Sequence, residues 1–129
     1  MAKPDLGIVV RRLRLAVGSD PRDVQTRWTL ALSLYDVGRY MEAVTEFRRV
    51  TEAARREATF RILRDWSRLW VGHCYDALGQ RSRALATYRE VARDGDPSTQ
   101  MMMGQYGIGP ITARAWAVQR LKAPFRAPK

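Results

Sequence analysis

Residues 30–50, LALSLYDVGRYMEAVTEFRRV, and residues 71–91, VGHCYDALGQRSRALATYREV, can be laid over one another. Leu30, Ala31 and Leu34 fall on Val71, Gly72 and Tyr75; Gly38 falls on Gly79; Ala43, Phe47 and Val50 fall on Ala84, Tyr88 and Val91. Each copy reads as an apolar helix, a short turn holding glycine, and a second apolar helix with a small residue early and an aromatic four positions later. Within such a hairpin the first helix needs a small residue where the second crosses close. Ala31 and Gly72 fill that place, with Ala43 and Ala84 opposite them. One hairpin cannot bury both of its faces, so neighbours must stack.

Outward from the pair, Asp5 caps a predicted first helix in which Leu6, Val9, Leu13 and Val17 recur at helical spacing, and Gly18-Ser19-Asp20-Pro21 ends it. Helices are predicted over about 23–37 and 41–54, with Gly38-Arg39 as the turn between them. The stretch from Glu52 to Arg64 has no glycine or proline. It reads as a longer second helix, through about Arg61 to Arg64, with a short break near Thr59 as the other reading. The second unit spans about 65–94. After Asp96-Pro97, Ser98 is placed to cap a brief helix over 99–106, rich in Met101, Met102 and Met103. Gly104, Gly107, Gly109 and Pro110 then break the pattern. A last helix is predicted over 111–121, with Ala115, Val118, Ile111 and Leu121 inward, followed by an extended segment with two prolines.

The paired segments resemble the tetratricopeptide repeat, over roughly Val24 to Pro97. Some features depart from the family pattern. Arg81 stands where the first copy has the aromatic Tyr40, and Trp28 and Trp70 are one and two places out of phase. The turn glycines are 41 positions apart, against a family period of about 34. The resemblance implies an all-α fold, a short right-handed superhelix of antiparallel helical hairpins with a C-terminal capping helix. Its organisation would be a repeat region over 1–97 (a partial repeat 5–21, full repeats 23–58 and 65–97), a degenerate third repeat or capping helix over 98–121, and a basic tail over 122–129. It also implies a concave groove lined by Gln25, Trp28, Leu32, Tyr35 and Asp36 from the first repeat and by Trp66, Leu69, His73, Asp76 and Ala77 from the second. Aromatic walls of this kind suit peptide or helix capture. The competing expectation is that the C-terminal helices fold into the groove and bury these rings as core. The clamp with which some members of the family grip chaperone tails is absent, because Trp28, Leu32 and Trp70 occupy its places.

Composition bounds the rest. The chain has 129 residues, 46% of them hydrophobic, enough for one modest core and too apolar for a disordered tail. No apolar run approaches a membrane span, and Met1–Asp5 does not read as a secretory signal. Cys74, the single cysteine, excludes an internal disulfide and fits a reducing cytoplasm. Net charge is +10, with only three of the cations lysine. Arg48, Arg49, Arg55, Arg56, Arg61, Arg64 and Arg68 would form a convex stripe continued by Arg114, Arg120, Lys122 and Arg126. That face would attract nucleic acid or an acidic protein surface, or would simply solubilise the chain.

No catalytic constellation is legible. His73 and Cys74 are adjacent on a helix and point about 100° apart, and one His with one Cys does not make a zinc site. The glycines at 104–109 lack the following Lys-Ser/Thr and the preceding strand of a phosphate loop. No cofactor or metal is expected. The expected function is a non-catalytic, cytoplasmic adaptor binding a protein partner through the aromatic groove and the basic surface. The alternatives are a nucleic-acid-associated subunit using the arginine face and basic tail, and a permanent structural subunit of a larger complex. Self-association through exposed apolar ends is a further expectation.

Overall fold

In a computed structural model describing residues 5–128, the chain folds into six α-helices and one β-hairpin: α1 (Leu6–Ser19), α2 (Val24–Asp36), α3 (Tyr40–Arg55), α4 (Arg61–Ala77), α5 (Arg81–Asp94), β1 (Gln100–Met103), β2 (Ile108–Thr112) and α6 (Ala113–Lys122). Met1–Pro4 and Lys129, the outer ends of the predicted repeat region and of the basic tail, lie outside the described residues. No helix among the described residues is long and apolar enough to cross a membrane.

Local chemistry sets the helix ends. Asp5 accepts hydrogen bonds from the Gly7 and Ile8 amides, and Asp23 accepts one from Thr26, each satisfying an otherwise orphaned first-turn donor. The two aligned turns are built alike. Gly38 (φ 80°) and Gly79 (φ 73°) take the left-handed conformation open to a residue without Cβ. The amide after each reaches back to the same place on the preceding helix, Arg39 to the Leu34 carbonyl and Gln80 to the Tyr75 carbonyl.

Successive helices pack on one another from α1 through α6. Ala31, Ala43, Gly72 and Ala84 are buried at the close crossings, as their size predicts. At Gly72 the approach is tightest: a Cβ there would lie 2.4 Å from the Tyr88 ring. Phe47 reaches from α3 to the next hairpin, where its ring stacks on Trp70 of α4 at 5.9 Å. Buried polar groups join the same layers. The Thr51 and Ser67 hydroxyls meet at 2.7 Å between α3 and α4, and Glu46 bridges Arg27 (2.7 Å) and Arg49 (2.6 Å).

Several expectations are corrected. The predicted long helix through Arg61–Arg64 stops at Arg55; a 3-10 turn at Ala58–Phe60 intervenes and α4 begins at Arg61. The predicted methionine-rich helix over 99–106 is instead strand β1 followed by a 3-10 turn. Its proposed cap, Ser98, is engaged by Asp96, which takes both the amide (2.8 Å) and the hydroxyl (2.6 Å) of Ser98 in a local turn. β1 pairs antiparallel with β2, Met101 opposite Ile111 and Met103 opposite Ile108, so the fold is mostly helical rather than purely so. A strand therefore does precede part of the glycine-rich segment, although no Lys-Ser/Thr follows it. Finally, Ala115 and Val118 of α6 face outward, and Ala113, Trp116 and Ala117 face inward. The reason is that Trp116 fixes the helix rotation by docking on α4, as described next.

Candidate functional site

The face shared by α2 and α4 is where the sequence placed a groove, and in the structure this face is covered by the chain's own C-terminal segment. Tyr106, in the turn between β1 and β2, donates its hydroxyl to Asp36 at the end of α2 (2.9 Å) and packs edge-on against Trp70 at 4.7 Å. Trp70 in turn donates its indole N–H to the Met103 sulfur at 3.4 Å. From α6, the Trp116 indole N–H donates to Nε2 of His73 at 3.0 Å. Beyond α6, Phe125 lies flat on the His73 imidazole at 3.8 Å and 16°. The Phe125 ring is also edge-on to Trp70 at 5.5 Å, and its own amide donates to Asp76 at 2.9 Å.

Asp76 organises the lower end of this site. Its side chain is 1% exposed, and it accepts two bonds from the Arg81 guanidinium (3.0 and 3.2 Å), one from the Tyr88 hydroxyl (2.6 Å) and one from the Phe125 amide. These bonds meet the lone pairs of a carboxylate that would otherwise be costly to bury. Arg81 also donates to the Arg120 carbonyl at 2.6 Å, the C-terminal end of α6, where the helix dipole favours a cation. Thus the arginine that departs from the repeat pattern is what ties α5 and α6 to α4.

Electrostatics follow from burial. His73 is fully buried, and desolvation, helped by the nearby Arg120 guanidinium, holds its pKa well below the usual histidine value. It is therefore neutral, and since Nε2 accepts from Trp116 the proton sits on Nδ1, which has no hydrogen-bond partner among the described residues. The same desolvation pushes the Tyr88 hydroxyl and the Cys74 thiol above their ordinary ranges. Cys74 is thus held as an unreactive thiol. Burial raises the Asp36 carboxyl, opposed by its bond from Tyr106.

The predicted groove residues separate into three groups. Tyr35, Asp36, His73 and Asp76 meet the C-terminal segment directly. Trp66 and Leu69 are fully buried, and Trp28 turns into its own hairpin, edge-on to Phe47 at 5.6 Å. Leu32 is half-buried, and Gln25 and Ala77 are exposed. Trp70, set aside in sequence as an out-of-phase tryptophan, is the centre of the cluster. The residues sequence reasoning missed are Tyr106, Trp116 and Phe125. Their signal was the recurrence of single aromatics through a segment otherwise rich in glycine, proline and charge.

The basic stripe is largely paired. Arg49 bonds Glu46, Arg64 bonds Asp65 and Arg68 bonds Asp94 at 2.6–3.1 Å, while Arg56 and Arg61 lie 3.7 Å from Glu52 and Asp96. Arg48 donates to the Tyr75 hydroxyl, Arg114 to the Ala92 carbonyl, and Arg120 lies over the Trp116 ring at 4.5 Å. Arg55, Lys122 and Arg126 are exposed. Comparison with protein-family models, with curated proteins and with solved structures returned no match to this chain.

Proposed function

We propose that this chain is a tetratricopeptide-like array, a short right-handed superhelix of helical hairpins, that serves as a protein-binding adaptor and carries out no reaction of its own. The observation that carries the reading is that α2 and α4, the first helices of the two matched hairpins, jointly hold non-helical chain through aromatic and carboxylate side chains. That is the way such an array would hold a partner. The repeated turn geometry at Gly38 and Gly79 supports the repeat itself. Net positive charge adds long-range attraction to an acidic partner. The working compartment of this reading is the cytoplasm.

The test is affinity capture of the tagged full chain from its own cell extract, with and without nuclease, followed by mass spectrometry. A discrete protein that stays bound through nuclease and moderate salt is the expected outcome. A co-eluting set that disappears with nuclease would replace the adaptor reading with the second one, a nucleic-acid-associated subunit. One observation favours that alternative: Arg11 and Arg12 on α1 and Arg22 beyond it are exposed, with no carboxylate partner among the described residues. Its affinity would fall steeply with salt, as phosphate contacts release counterions.

A further inference from the structure

Phe125 sits in the fold as a ligand sits in a receptor. Residues 123–128 form no helix or strand, and Ala123 leaves α6 in an extended conformation (φ −151°, ψ 138°). Every residue of this arm is exposed except Phe125, which is 5% exposed. Its backbone is held by the Phe125 amide on Asp76 and by a long bond, 3.5 Å, from Arg120 to the Pro124 carbonyl.

The walls around Phe125 are tied together by contacts that do not involve the arm. Asp76 keeps three bonds from Arg81 and Tyr88, His73 keeps its bond from Trp116, and Trp70 keeps its stack on Phe47 and its edge contact with Tyr106. Withdrawing Phe125 would leave a preformed slot with an imidazole floor, an indole wall and a carboxylate aimed at a backbone N–H. Pre-organisation of this kind lowers the ordering cost of binding.

Resting on the adaptor reading above, we infer that this slot is a receptor for an extended partner peptide carrying a proline followed by phenylalanine, and that residues 123–128 are its built-in competitor. The partner's phenylalanine stacks on His73, and its amide bonds Asp76. The arm, tethered to α6, competes at an effective concentration on the order of millimolar. Only a partner presented at high local concentration, or with further contacts, displaces it.

The probe is a fluorescein-labelled hexapeptide, Ala-Pro-Phe-Arg-Ala-Pro, titrated by anisotropy against the full chain and its Phe125→Ala variant. The variant is expected to bind at least tenfold more tightly than the parent chain, and a peptide with alanine for phenylalanine should bind neither. A Phe125→Ala chain that keeps its cooperative melt yet binds no better than the parent overturns the inference. So does a peptide that binds equally with or without its phenylalanine. Should the variant fail to fold, amide exchange of the unaltered chain decides. A Phe125 amide that exchanges while α4 amides stay protected supports a releasable arm, and exchange only through global unfolding makes the arm core. Arm exchange between two copies, seen as a dimer by sedimentation-velocity ultracentrifugation that Phe125→Ala abolishes, would assign the slot to a second copy and overturn the partner peptide. Capture of a discrete partner alongside a negative peptide result leaves the adaptor reading standing and removes only the slot.

Discussion

Protonating His73 would put a proton on Nε2, the atom that accepts from the Trp116 indole, in a site already facing Arg120 from α6. The native state therefore binds this proton less readily than the unfolded chain does. Stability contributed by the neutral imidazole is complete above the unfolded value of about 6.5 and falls as pH drops below it, by up to about 1.4 kcal/mol per pH unit. Urea melts at pH 7.5 and 5.5 should show that loss, and His73→Phe should remove most of the difference. The lowered carboxylates Asp23, Glu42, Asp94 and Asp96 act in a more acidic window: what they contribute is complete above the ordinary carboxylate range and is lost as pH falls through their lower native values. Asp76 is the other decisive residue. Asp76→Ala strands the Arg81 guanidinium, the Tyr88 hydroxyl and the Phe125 amide at once, and a loss of about 3 kcal/mol in chemical denaturation is expected. A loss below about 1 kcal/mol would mean those donors find water instead.

Among elements, the α4–α5 crossing is the most constrained. Gly72→Ala gains intrinsic helix propensity, about 1 kcal/mol. Its Cβ, however, meets the fully buried Tyr88 ring, which Asp76 holds in place. The net expectation is destabilisation by about 1–3 kcal/mol, measured as a drop in Tm. At Gly79 a Cβ meets nothing, and only the left-handed φ is strained. Gly79→Ala should therefore cost about 1–2 kcal/mol, while Gly79→Asn, which tolerates that conformation, recovers part of it. On α1, Leu15 is 74% exposed and shares its outward stripe with Ile8, Arg11 and Arg12. Leu15→Asp should leave the melting curve within about 0.5 kcal/mol of the parent. A larger loss would show that α1 is covered in solution, the self-association that exposed apolar ends led the sequence analysis to expect.

Taken as one body, the molecule is closed by its second half. Tyr106, Met103, Trp116 and Phe125 all insert against α2 and α4, so the hairpins and the C-terminal segment share a core. A fragment ending at residue 97 would leave Tyr35, Trp70 and His73 uncovered. That fragment is expected to bind a hydrophobic dye and to lack a cooperative melt, whereas the full chain should unfold in one transition by fluorescence and circular dichroism alike. A cooperative melt of the fragment would show that the hairpins stand alone as a separate unit.

The helices α1 to α5, their turns and the small residues at their crossings were legible in the sequence, because periodicity, caps and turn glycines are local signals within one or two turns of the chain. The break at Ala58–Phe60 was foreseen only as one of two readings, since nothing between Glu52 and Arg64 forbids a continuous helix. The β-hairpin was not legible: Met101–Met103 suit a helix locally, and their strand exists because β2 pairs with it and α4 takes the Met103 sulfur. The same holds for the site. Tyr35, Asp36, His73 and Asp76 were placed in one groove by the resemblance to helical repeats, but what covers that face depends on residues up to 90 positions away, as between Tyr35 and Phe125. Sequence by itself determined the hairpins, since each is a short-range pattern of helix, turn and helix. Tertiary structure alone decided that the groove is filled, because burying those aromatic rings requires long-range packing whose partners carry no local mark of their destination.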